Sequence, residues 1–91
     1  MELTRREKRE LGILPRQLAW TLVELKWDGY PVEDMTADQL TVLLIAEARC
    51  ANPEVWNRVR GDRDWETFLK ALAEFIVTVV PAILQIIAVF L

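Results

Sequence analysis

With 91 residues, 11 basic and 14 acidic side chains and a formal net charge of −3, the chain has room for one small domain and lacks an excess of positive charge. That balance argues against nucleic-acid binding, which needs a basic surface. No His and no Ser occur, which removes Ser–His and Cys–His nucleophile pairs and every His-containing metal site.

Gly12, Gly29 and Gly61 do not cluster, so neither a dinucleotide fingerprint nor a phosphate-binding loop is present. Asp62-Arg63-Asp64-Trp65-Glu66 begins like a calcium loop but lacks its glycine, and Ala73 stands where the last acidic ligand belongs. It reads as the acid-rich start of a helix. Cys50 is the lone cysteine, so no intramolecular disulfide forms, and it reads as a small buried or semi-buried filler. Neither catalysis, nor a cofactor, nor a metal, nor a small-molecule substrate is expected.

In chain order, Thr4-Arg5-Arg6-Glu7 is a capping box opening a short helix that should stop at Gly12. Its basic residues are nearly balanced by Glu2, Glu7 and Glu10, so it reads as a solvated arm or a contact for an acidic surface. The charged first ten residues precede no apolar run of signal-peptide type. Pro15 suits the first turn of a second helix, and Gly29 its stop. Leu18, Leu22 and Leu25 form one apolar stripe on it, with Trp20, Val23 and Trp27 on the opposite side. A helix apolar on two sides should be sandwiched, with both tryptophans in a core.

Thr36-Ala37-Asp38-Gln39 is a second capping box, opening a helix through Leu40, Leu43 and Leu44 to about Cys50. Asn52-Pro53-Glu54 supplies a cap, a first-turn proline and an acid for a short helix carrying Val55, Trp56 and Val59 to Gly61. Asp62 or Asp64 should cap the last helix. Leu18, Leu22, Leu25, Leu43, Leu44, Val55 and Trp56 are the expected core of the head.

The segment 75–91 carries no charged side chain. Extended back to Ala71 it would reach roughly 31 Å as a helix, enough for about 30 Å of hydrocarbon. Steps of four and three through it pick out Thr67, Ala71, Glu74, Thr78, Pro81, Gln85 and Ala88, all small, polar or proline. At that spacing they form one seam, suited to packing against another helix. Phe75, Ile76, Val79, Val80, Ile83, Leu84, Ile86, Ile87 and Phe90 fill the other faces and are expected to meet lipid or a partner. Pro81 should kink the helix. Arg58, Arg60, Arg63 and Lys70 precede the tail, which favours a head on the cytoplasmic side of a membrane, or on a virion's interior. Trp65 stands where an interfacial anchor would.

These features predict an all-α chain: a head of about four short helices over 1–61, then one long helix over 62–91 with its hydrophobic anchor at 75–91. The expected function is structural or assembly-related, as a homo-oligomer or within a larger complex, single-pass in a membrane or buried in an assembly such as a phage virion. Two alternatives share the pattern. In one, the seam lines an oligomeric pore; in the other, a soluble assembly factor has its tail covered by a partner.

Overall fold

The computed structural model describes residues 2–61 and 63–90, residue 90 by its backbone alone. The order is α1 (Arg5–Leu11), α2 (Pro15–Trp27), a 3-10 turn (Val32–Asp34), α3 (Ala37–Ala51), α4 (Pro53–Arg60) and α5 (Trp65–Phe90). No strand occurs among the described residues, and the all-α head with one long terminal helix is the observed architecture.

The helix ends lie where capping chemistry places them. Thr4 Oγ1 accepts from the Glu7 N–H at 3.1 Å, and the Glu7 carboxylate accepts from the Thr4 N–H at 2.9 Å. Thr36 and Gln39 repeat this exchange at the start of α3, at 3.1 and 2.9 Å. Asn52 ends α3 and caps α4, its Oδ1 accepting from the Val55 N–H at 3.2 Å. Of the two expected caps for α5, Asp64 does the work: its Oδ2 accepts from the Thr67 N–H and hydroxyl, both at 3.0 Å. Residue 62 lies outside the described residues. Gly12 closes α1 at a φ of 76°, in the left-handed region that glycine enters without a side-chain clash. α5 runs unbroken through Pro81.

Packing then follows from the stripes. α2 turns Leu18, Leu22 and Leu25 inward, and α3 turns Leu40, Leu44 and Ala48 inward. Both meet α5, whose Phe68, Leu72, Ile76, Val80, Ile83 and Ile87 repeat at steps of four and three and are all buried. These residues form one cluster, so the core crosses the expected boundary between head and tail. The 26 residues of α5 would measure about 39 Å at the usual helical rise. That equals the 39 Å long axis of the molecule, so α5 is its spine. Of the remaining expected core residues, Trp56 is buried, while Leu43 and Val55 are half-buried.

The shorter helices are fastened around this spine. Trp56 of α4 meets Phe68 edge-on at 5.2 Å and Trp65 at 6.2 Å, and Arg60 lies 4.4 Å from the Trp65 ring centroid. Trp65 is thereby tied to the head and to α5 at once. α1 is a docked element rather than a free arm. Leu3 and Leu11 are buried, Glu7 pairs with Arg63, and Glu10 pairs with Arg58. Lys8 Nζ stands 4.3 Å from the Phe75 ring centroid. Gln17 ties α1 to α2: its Nε2 donates to the Arg9 carbonyl and its Oε1 accepts from the Leu14 N–H, each at 3.1 Å.

Leu22 is fully buried at the centre of the α2 stripe. Leu22→Ala should cost about 2–5 kcal/mol, read as a lowered midpoint in denaturant with helical content retained in buffer. A change within experimental error would mean that α2 does not pack on α5.

The Arg63 guanidinium holds the Glu7 carboxyl below its ordinary value of 4.5; burial opposes it less strongly, and the Thr4 N–H adds a smaller downward pull. A depressed folded-state value contributes stability above pH 4.5 that is lost as pH falls through the folded value. The melting midpoint should therefore drop on acidification below that point. Glu7→Gln should start lower at neutral pH and fall less over the same range; an unchanged acid profile would remove Glu7 from the linkage.

Candidate functional site

The outward face of α5 is left open by the fold. Thr67, Glu74, Thr78, Pro81, Gln85 and Ala88 are exposed, and Ala71 is half-buried. The seam anticipated from spacing therefore lies on the outside along the length of the helix. The cause is competition for the interior: the bulky stripe on the opposite face satisfies α2 and α3, and the small and polar residues are what remain.

The same competition corrects the expected orientation of the bulky residues. Ile76, Val80, Ile83 and Ile87 are not turned toward lipid or a partner; they are buried against the chain's own head. Phe75, Val79 and Leu84 flank that contact and are half-buried. Ile86 is open at 55 % exposure, and the Phe90 side chain lies outside the described residues. Beside Ile86, Val89 is more exposed still, so the end of α5 presents apolar surface next to Gln85 and Ala88.

The two halves of the seam differ. Along its first half the N-terminal segment and α1 stand beside α5 and enclose an open groove of about 590 Å³. Thr67, Ala71, Glu74 and Thr78 form one wall with Lys70 and Phe75, and Glu2, Leu3 and Lys8 form the other. Its charges are of both signs, from Lys8 and Lys70 and from Glu2 and Glu74. The Thr67 hydroxyl is already engaged by Asp64, and the Thr78 hydroxyl donates to the Glu74 carbonyl at 2.7 Å. Beyond Thr78 lie Pro81, Gln85 and Ala88, all exposed. Among the described residues no cluster of three or more His, Cys, Asp or Glu side chains could hold a metal ion. Cys50, expected at least half-buried, is exposed.

A second exposed feature departs from expectation more sharply. Trp20 and Trp27 are 56 % and 66 % exposed, and their rings meet edge to face at 5.7 Å. Seven residues apart on a helix, they share a side, and that side is opposite the buried leucines. The sequence shows this opposition. What it does not show is that no further helix covers the second side: α2 packs on α5 with its leucine side, which leaves the tryptophans outside.

α5, over Trp65–Val89, is also the one helix among the described residues long and apolar enough to cross a membrane, its most apolar 18-residue window having a mean hydropathy of 2.3. Only 28 % of its most apolar window is buried in the fold. No family model, curated protein or solved structure matches the chain.

Proposed function

We propose that the chain is a non-enzymatic structural or assembly protein, held to copies of itself or to a larger complex by the outward seam of α5. One observation carries this reading: the packed fold leaves a row of small and polar residues open to solvent along its longest helix, lining a groove over its first half and fully outward over its second. Small side chains let a second helix approach closely, and Gln85, Thr78 and Glu74 offer hydrogen-bonding groups across such a contact. The exposed Ile86 and Val89 add apolar area at the end of the row.

Membrane attachment is the second form of the same reading, supported by the length and hydropathy of α5. In a bilayer, Arg58, Arg60, Arg63 and Lys70 at the head end favour a cytoplasmic or virion-interior head. In both settings the seam is the face that meets protein.

Gln85 is exposed, so Gln85→Lys should leave helicity and thermal midpoint unchanged. In sedimentation of the full chain, the wild type should be heavier than a monomer in a concentration-dependent way, and Gln85→Lys should shift it to the monomer. A wild type that is monomeric across the range, with Gln85→Lys identical to it, would count against attachment through the seam.

A further inference from the structure

We infer that the head is an exchangeable cover for a membrane helix, and that α5 can leave it to insert into a lipid bilayer. The inference deepens the attachment reading and rests on it for what the seam does. Three observations lead there.

The first is an identity of surfaces. The residues that a spanning α5 would present to lipid are those that now fill the core: Phe68, Leu72, Ile76, Val80, Ile83 and Ile87. Docking and insertion satisfy the same stripe, so the two states exclude each other. The head's leucines do in water what acyl chains would do in a bilayer.

The second is the character of the contact. Among the described residues, no hydrogen bond or ion pair joins α5 to α1, α2 or α3. Its links to the rest of the chain are apolar packing, the cap from Asp64, and two cations over rings, Lys8 on Phe75 and Arg60 on Trp65. Separation therefore strands no hydrogen-bonded partner in the head and carries no broken ion pair into lipid. Within the helix every polar side chain lies outside the core stripe, and the Thr78 hydroxyl is satisfied by the Glu74 carbonyl.

The third is size. Trp65–Val89 has the length of a span and contains an 18-residue window with the hydropathy of one. The bilayer is the occupant that matches a single long apolar rod with one polar seam. That seam stays free in both states, outward when docked and available to a second helix when inserted.

The test uses the full chain and vesicles of phosphatidylcholine and phosphatidylglycerol. The wild type should float with the vesicles, and protease should digest the head while leaving an α5 fragment protected. Leu22→Val trims the cover without abolishing it and should raise the bound fraction several-fold. Ala82→Arg is the discriminating variant, because Ala82 is exposed in the docked fold, at the edge of the seam one turn from Thr78. It falls beside the midpoint of the apolar segment that begins at Ala71, where an arginine is costly in hydrocarbon. Ala82→Arg should keep the wild-type melt in water yet lower the bound fraction about a hundredfold. Three results would overturn the inference: wild type and Leu22→Val both refusing vesicles, a bound chain whose α5 is fully digested, or Ala82→Arg binding as well as wild type. Full digestion would identify surface adsorption instead, through Trp20 and Trp27. Association in water that is lost in Gln85→Lys, combined with refusal of vesicles, overturns release alone and leaves seam attachment standing.

Discussion

The contact between one stripe of α5 and the leucine faces of α2 and α3 holds this molecule together. Phe68, Leu72, Ile76, Val80, Ile83 and Ile87 run the length of the long axis and form one cluster with the other buried apolar residues. Without α5, the inward faces of α2 and α3 would have only each other to cover them. A chain this short gains little from a core of ordinary size, so one long helix that touches nearly everything is an economical solution. It also means that the apparent tail is the centre of the fold.

The polar contacts that shape this fold act mainly at ends and joints. Two capping boxes, the Asn52 and Asp64 caps and the Gln17 bridge decide where helices begin and how they meet. The Glu7–Arg63 and Glu10–Arg58 pairs lock α1 to the end of the head next to the start of α5. None of these groups enters the spine contact. The division has a physical logic, because a polar group inside so narrow a core would need a partner that the leucine stripes cannot supply. Apart from Lys8 over Phe75 and Arg60 over Trp65, it leaves the spine held by burial, which is non-directional and available from protein or from lipid.

The seam and the stripe are two sides of one helix, and each constrains what the other can be used for. While the stripe is covered by the head, the outward face offers small residues, two threonines, a glutamate and a glutamine to a neighbour. A lipid-facing stripe would leave that offer unchanged. The exposed Trp20–Trp27 pair lies on α2, away from the side that packs on α5, and so belongs to a different surface of the molecule.

Helix boundaries were legible in the residues because they depend on neighbours within four positions. Thr4, Thr36, Asn52, Asp64, Gly12 and Gly29 each act on groups that the local chain supplies. The periodicity of α5 likewise separates a seam from a bulky stripe without reference to anything else. Which side of α5 is inside, however, depends on what else the chain has to bury. The bulky stripe was expected to face lipid or a partner; the leucines of α2 and α3 claim it instead, since they are equally apolar and already attached. The outcome for Trp20 and Trp27 has the same origin. A second apolar side on α2 implies a second neighbour only if the chain has another helix to spare, and the spine used it on the first. Local chemistry in the sequence thus determined the elements and their faces. The tertiary structure alone decided which faces meet, because burial goes to the largest complementary surface within reach.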